Sequence, residues 1–227
     1  FRRVLFRSTA LLSDRGTPSH DDQPFSFAMI VNSSVEGWRF AQRNEAVRAG
    51  LVVSMLAALL ALPFTTLLPI YARDILHTGS SGQGFLLTAM GIGALFSATL
   101  IASLGDRLPR GLLMLAGVAG YGLAIAAFGA STHAELSLVL MGVTGVFHVS
   151  SQALVQTVVQ AYSPSELRGR MMAVFQQNQV VSTVGSTLDG TLAEIWSPSV
   201  ALASTGVLCT VSMIGVAVLM PRVRLIR

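Results

Sequence analysis

A stripe of polar side chains along one predicted helix is the feature of the sequence best suited to hold a small polar ligand. His148, Gln152, Gln156 and Gln160 recur every four residues, which places them on one face of a helix. In a membrane span, such groups face other helices or a water-filled cavity and not lipid. The stripe therefore predicts one of two arrangements. Either His148, Gln152 and Gln156 line a cavity, or the stripe forms hydrogen bonds between helices.

The next apolar interval opens on a second polar cluster, Gln176-Gln177-Asn178-Gln179. A run that covers every face of a helix is typical of an entry from the lipid headgroups, and we expect Gln179 to point inward and line the cavity. Asp189 lies about one helical turn from the predicted outer end of the same helix, where we expect it to meet solvent. The alternative for Asp189 is a place in a proton relay, as for other carboxyl groups inside membranes.

Nothing in the sequence predicts an enzyme or a metal site. Cys209 is the single cysteine and lies in an apolar interval, and the Cys and His residues lack the spacing of metal ligands. His148 is close to Ser150 and Ser151 in sequence, but these side chains point to different helix faces, so an intramembrane enzyme is not expected. We predict no catalytic residue, no metal and no cofactor.

Long intervals without charge must position these side chains, and they predict membrane spans. The chain has 227 residues, of which 52% are hydrophobic and 11% are charged, whereas soluble domains carry about 25% charged residues. A charge at mid-bilayer costs at least about 2.5–3.5 kcal/mol, so the charged residues mark the ends of spans of about 20 residues. The predicted spans are residues 47–72, 82–104, 111–131, 135–161, 170–193 and 198–220.

The predicted fold class is an all-α membrane protein, a six-transmembrane-helix bundle. Lipid offers no partner to backbone N–H and C=O groups, so each continuous apolar run must be a helix. Pro63 lies inside the first span and removes one backbone hydrogen bond, which predicts a helix kink that is either a gate or a static bend. Small residues recur every four positions in several spans, as in Ala94, Ala98 and Ala102, and such faces allow helices to pack closely.

The arginine residues divide the loops into two groups and predict the orientation of the bundle. The net charge is +4, and the basic residues lie between apolar runs, which is a pattern of membrane topology and not of nucleic-acid binding. Arg73 stands alone on one side of the predicted spans. The other side carries ten arginines: Arg39, Arg43, Arg48, Arg107, Arg110, Arg168, Arg170, Arg222, Arg224 and Arg227. Because positive loops face the cytoplasm, both termini are predicted to be cytoplasmic, and the lipid bilayer is the first partner.

The segments outside the predicted bundle are short. Residues 1–8 match a read-through translation of a common sequencing adaptor, and we interpret them as an assembly artefact, with an ordinary basic loop as the alternative. Residues 9–46 are predicted to form a cytoplasmic linker, residues 47–220 the six-helix transmembrane domain, and residues 221–227 a cytoplasmic tail.

The loop after the second predicted span carries a recognisable motif. Residues 102–111 read A-S-L-G-D-R-L-P-R-G, and Leu104, Asp106, Arg107 and Arg110 match the motif G-x-L-A-D-R-x-G-R-K. The segment resembles the cytoplasmic loop of the major facilitator superfamily. Three further segments are similar to the enterobactin-exporter-like branch of that superfamily: residues 36–40, 71–76 and 166–171.

The resemblance implies that the chain corresponds to helices 7–12 of a twelve-helix fold in the bacterial inner (plasma) membrane. It implies proton-coupled efflux of a small molecule of the drug or siderophore class, with an N-terminal six-helix half as the missing partner. It also implies that Asp106, Arg107 and Arg110 form a conformational latch between the loop and the neighbouring helix ends. The sequence has no ATP-binding P-loop, so the family implies coupling to an ion gradient.

A self-standing six-helix membrane protein is the alternative function. Such a protein acts as a homodimer, a channel or a scaffold. It predicts a start codon near residue 1 or at Met29, together with stable dimers in detergent.

Overall fold

Helices build the part of the chain that the structure, a computed structural model, describes: residues 37–104, 110–165, 167–220 and 223. Residues 37–43 are helical. The helices that follow are α1 (Glu45–Leu60), α2 (Phe64–Ile70), α3 (Gly79–Leu104), α4 (Arg110–Ala130), α5 (Ala134–Ala161), α6 (Arg168–Gln176), α7 (Asn178–Ile195) and α8 (Pro198–Leu219). A π-helical turn, Tyr71–Ile75, continues α2. No strand occurs within these described ranges, so the predicted all-α class is confirmed.

Five helical segments are long and apolar enough to cross a membrane: Glu45–Ile75, Gly79–Ser103, Arg110–Ala130, Ala134–Ala161 and Pro198–Leu219. They correspond to five of the six predicted spans. The remaining prediction, residues 170–193, falls on α6 and α7, which are separated at Gln177. Neither α6 nor α7 has both the length and the hydropathy of a span, because α6 is short and α7 contains Asn178, Gln179 and Asp189.

The outer surface of the bundle is apolar, as expected for a protein in contact with lipid. Large hydrophobic side chains project outward, among them Leu95 at 73% exposure and Leu219 at 83%. Soluble proteins rarely expose large contiguous apolar areas, whereas in a bilayer such side chains face hydrocarbon. The exposed residues and the five apolar helices therefore agree that the protein lies in a membrane.

The first span is not one continuous helix. It begins at Glu45, where the side chain of Asn44 accepts hydrogen bonds from the N–H groups of Ala46 and Val47. It is interrupted at residues 61–63 and resumes as α2 after Pro63. Proline has no N–H to donate to the preceding turn. Just before it, the N–H of Leu62 donates to the carbonyl of Ala57, five residues earlier, whereas in a regular α-helix the acceptor is four residues earlier. The break divides the span into α1 and α2.

Close helix packing positions the spans around a shared core. The helix α4 packs against α5 and α8, α3 packs against α5, and α1 packs against α7. Glycine allows α3 and α5 to come close together: a Cβ atom at Gly145 of α5 would lie only 2.0 Å from the carbonyl oxygen of Met90 in α3. Lipid gives helices little hydrophobic reason to associate, so small residues that let backbones approach closely supply much of the contact.

Tyr71 ties the end of the first span to the end of α4. The side chain is fully buried, and its ring lies 4.7 Å from the ring of Phe128, centroid to centroid. Its hydroxyl is within hydrogen-bond distance of the carbonyl oxygens of Phe128 (2.8 Å), Gly129 (3.2 Å) and Ser131. Carbonyls at a helix end lack partners within the helix. The carbonyl of Phe128 also accepts from the N–H of Ser131, so the Tyr71 hydroxyl matters most as a donor to the buried carbonyls of Gly129 and Ser131.

We expect Tyr71→Phe to lower the free energy of unfolding by about 1–3 kcal/mol, because it leaves buried carbonyl oxygens without a donor. Equilibrium unfolding of the protein in mixed micelles measures this change. The control is Thr65→Val, which removes an exposed hydroxyl of the same span and should stay within about 0.5 kcal/mol of the unsubstituted protein. Equal stabilities for the two variants would contradict the role assigned to Tyr71.

Several predictions from the sequence fall outside the described residues. They are the artefact at residues 1–8, the linker up to residue 36, the tail apart from residue 223, and the loop residues Asp106 and Arg107.

Candidate functional site

A small cavity inside the bundle brings two of the predicted residues together. His148 and Gln152 of α5 line it with Ser54 of α1, Tyr121 of α4 and Ser151. The rings of His148 and Tyr121 lie 5.1 Å apart and are tilted by 47°. The first span contributes Leu62 at its break. The site is therefore assembled from α1, α4 and α5, and it adjoins the interruption of the first span.

This cavity contains polar atoms that lack partners. Within the described part of the chain, Nδ1 of His148 and the hydroxyl of Tyr121 are buried and make no hydrogen bond. The cavity has a volume of about 10 Å³, which is close to the space needed by one water molecule. Drug-sized ligands occupy pockets of about 300–1,000 Å³. In this conformation the site has room for at most one water molecule and for no larger ligand.

The rest of the predicted stripe lies apart from the cavity. Gln156 is exposed. Gln160 is half-buried, and its amide donates to the sulfur of Met172 at 3.5 Å. The spacing of four residues turns slowly around the helix axis, so the stripe passes from the interior of the bundle at His148 to its surface at Gln156.

Gln179 lies on a second polar stripe that sequence reasoning missed. It is exposed on α7 together with Thr183, Thr187 and Thr191, and these four residues, here called the α7 polar stripe, share one helix face. The hydroxyls of Thr183 and Thr187 donate to the carbonyls four residues earlier. The recurrence of polar residues every four positions from Gln179 was the available signal. It is weak because threonine hydroxyls are readily satisfied by their own helix.

Asp189, on the same helix, does not lie where the sequence predicted. Its side chain is 1% exposed, and neither carboxylate oxygen has a hydrogen-bond partner among the described residues. The prediction that Asp189 meets solvent is therefore wrong. The physical reason is that α7 packs against both α1 and α8, and this packing covers the face that carries Asp189.

Pro63 lies at the contact between the first span and α7. A Cβ atom at Gly185 would lie 2.2 Å from the carbonyl oxygen of Leu59 and 2.6 Å from Cγ of Pro63. The two helices therefore approach closely beside the break in the first span. Of the predicted latch residues, Arg110 is described: it is half-buried and begins α4.

No group of three or more His, Cys, Asp and Glu side chains is arranged to hold a metal ion in the described ranges. Cys209 is buried and free. The cavity-lining candidates that sequence analysis singled out lie on α5 and α7.

Comparison with known proteins places this helical bundle in a family. The sequence matches the transmembrane secretion effector family model over residues 12–226. The multidrug efflux pump Tap of Mycolicibacterium fortuitum is 27% identical over 226 residues, which are 97% of this chain and 53% of that pump. The enterobactin exporter EntS of Escherichia coli O1:K1 / APEC is 28% identical over 179 residues, which are 78% of this chain and 42% of that exporter.

The chain thus spans about half the length of the curated relatives it matches. The resemblance drawn from the loop motif and the three flanking segments is confirmed by these matches. Because the family model covers nearly the whole sequence, the chain belongs to the transmembrane secretion effector family of the major facilitator superfamily, a family of membrane transporters.

Proposed function

We propose that the chain is the second half of a twelve-helix transporter that exports a small molecule of the drug or siderophore class from a bacterial cell. The observation that carries this proposal is the family match over residues 12–226, combined with relatives about twice as long that are a multidrug efflux pump and an enterobactin exporter. The missing N-terminal six-helix half would be the partner of the bundle.

In this proposal α6 and α7 together form a further span, the fifth of six in chain order, which is broken at Gln177. Two observations support it. The N–H groups of Val180 and Val181 donate to the carbonyl of Gln177, whose own N–H donates to the carbonyl of Val174 in α6. Gln177 is therefore hydrogen-bonded to the helices on both sides of the break. The helix α7 also packs against α1 and α8, both of which belong to apolar spans. Six spans and the ten arginines on one side would put both termini in the cytoplasm of the inner membrane.

The α7 polar stripe is our candidate for the surface that faces the missing half and the substrate. Exposed polar residues on a membrane helix avoid lipid and face protein or a water-filled cavity, and in transporters built from two repeats the substrate lies at the interface between them. Gln179 therefore stays a cavity-lining candidate, and Gln156 of α5 joins it as an exposed polar residue.

His148 and Gln152 would reach the substrate only after the first span moves. Their cavity has a volume of about 10 Å³ and adjoins the break at Pro63, where α1 and α2 are no longer one rigid helix. Movement of α2 about this break would open the cavity, so Pro63 is the proposed hinge. Asp106, Arg107 and Arg110 remain the proposed latch of the loop between α3 and α4, and the proposed driving force is a proton gradient.

Efflux by the full-length parent protein is the direct test. The parent, expressed in a bacterial host that lacks its own major efflux pumps, should lower the accumulation of a fluorescent cationic dye or of a catecholate siderophore. A protonophore should abolish this effect, and the 227-residue chain alone should show none. Unchanged accumulation, with the parent demonstrated in the inner membrane by immunoblotting, would overturn the proposal.

A further inference from the structure

Asp189 carries a carboxyl group, which ordinarily needs water or a hydrogen-bond donor around it, yet its side chain is buried in the bundle. It is 1% exposed, and both of its oxygens lack a hydrogen-bond donor among the described residues. Glu194 lies on the same helix but is exposed. The two acidic residues of α7 are therefore in opposite environments, and Glu194 provides a matched control.

The buried position of Asp189 follows from the packing of α7 on the first span. Residues four apart share a helix face, so Asp189 lies on the same face as Gly185. That face lies against Leu59 and Pro63, since a Cβ atom at Gly185 would lie 2.2 Å from the carbonyl oxygen of Leu59 and 2.6 Å from Cγ of Pro63. Asp189 lies one helical turn beyond this contact, on the side of the break that leads to α2.

The helices packed against α7 bring no charge to Asp189. The charged residues of the first span lie at its two ends, and the buried Tyr71 directs its hydroxyl to carbonyls at the end of α4. In α8 the titratable residue is Cys209, which is buried and forms no disulfide. The charged residues of the first span and of α6 are Glu45, Arg48, Arg73, Asp74, Arg168 and Arg170.

A buried carboxylate without a partner is strongly disfavoured, because neither water nor a positive group compensates for its lost hydration. The carboxyl group avoids this cost by holding a proton. We propose that Asp189 is a proton-binding site, protonated while α7 is packed against the first span and deprotonated when that contact opens. Its part in coupling rests on the proposed function, whereas proton binding by the carboxyl does not.

The chemical step is a simple transfer. When α7 and the first span separate, water enters, the carboxyl O–H bond breaks, and the proton passes to a water molecule while both bonding electrons stay on the carboxylate. Closure requires the reverse transfer from hydronium to Asp189. Packing of α7 is thereby linked to the proton concentration on whichever side the opened contact faces.

Infrared spectroscopy of the protein in lipid nanodiscs tests proton binding directly. At pH 7 we expect a carboxylic acid C=O band that shifts when aspartate is labelled with ¹³C at its carboxyl group. The band should persist in Glu194→Gln and disappear in Asp189→Asn, which closely matches the shape of a protonated aspartate. A band that survives in Asp189→Asn would overturn the proposal. If that variant does not fold, the wild-type spectrum decides alone, since the absence of any labelled acid band would overturn it equally.

Transport by the full-length parent separates this inference from the proposed function. Where the parent exports the dye, Asp189→Asn should abolish the response of efflux to an imposed pH gradient, and Glu194→Gln should leave that response unchanged. Efflux by Asp189→Asn with an unchanged response would overturn the coupling role of Asp189 and leave the efflux function intact. A parent without efflux but with the labelled acid band would overturn the proposed function and leave proton binding intact.

Discussion

Gly93→Ala is expected to lower the free energy of unfolding by roughly 2–3 kcal/mol, the upper part of the range for overpacked sites. A Cβ atom at this position would lie 1.9 Å from the carbonyl oxygen of Gly142 and 3.1 Å from the nitrogen of Val146. Both contacts are to the backbone of α5, so no flexible side chain can move aside. The helices α3 and α5 would have to separate, and the contacts between them would be lost together.

The matched control is Gly91→Ala, two residues earlier on the same helix. No atom lies within 4 Å of a Cβ atom built at Gly91, and alanine favours a helix over glycine by up to about 1 kcal/mol. Gly91→Ala should therefore leave the free energy of unfolding unchanged or raise it slightly, whereas the same substitution at Gly93 should lower it. Unfolding of each variant in mixed micelles measures the difference. A neutral Gly93→Ala would show that α3 does not pack on α5 in this way.

A reciprocal contact explains why the α3–α5 interface should be so sensitive. A Cβ atom at Gly145 would meet the carbonyl oxygen of Met90 at 2.0 Å, so each helix offers a glycine to the backbone of the other. With a glycine on both sides, neither helix can shift to accommodate a methyl group without losing the opposite contact. Interfaces of this type depend on van der Waals packing, because lipid is as apolar as the side chains it replaces.

Five of the six predicted membrane spans are found, and they could be predicted because the free-energy cost of placing a charge in hydrocarbon fixes where a span ends. Arg48 and Arg73 lie within one turn of the two ends of the first span. Arg110 begins α4, and Glu135 follows its end, as the cost of charge in hydrocarbon requires. The break at Gln177 could not be predicted in the same way, since no charge or proline marks it. The polar residues near Gln177 predict an entry from the headgroup region, whereas in the structure the helix is interrupted there.

The details of the site were harder to predict because they depend on which helix faces become neighbours. The period of the His148 stripe gives a face of α5, but only packing against α1 and α4 puts His148 beside Tyr121 and inside the bundle. Position along a span was an equally poor guide to burial. Asp189 is near the predicted outer end, yet it is covered by its neighbours. Tertiary contact, and not depth in the membrane, determines the environment of each polar group.

Thiol labelling of α7 should distinguish the face that meets water from the face that meets lipid. The background is the full-length parent with Cys209→Ala, which removes the single cysteine of this chain, and with any cysteine of the other half replaced. In this background, Thr187→Cys should react fully with a membrane-impermeant maleimide. Leu188→Cys should not react, although Leu188 is 49% exposed in the bundle. The physical reason is that a thiolate forms and reacts in water, whereas an exposed apolar position on a membrane helix faces hydrocarbon.

The pair isolates the role of the α7 polar stripe, because Thr187 and Leu188 are adjacent on one helix and both exposed. Depth in the membrane and the stability of the variants should therefore be nearly the same, and only the direction of the side chain differs. The mass increase of the labelled protein gives the extent of reaction. Export substrate added before the maleimide should slow labelling at Thr187→Cys, since substrate would occupy the same water-filled space. Equal labelling of the two variants would mean that α7 does not present Thr187 to a pathway, and the substrate contacts would then have to lie on α5.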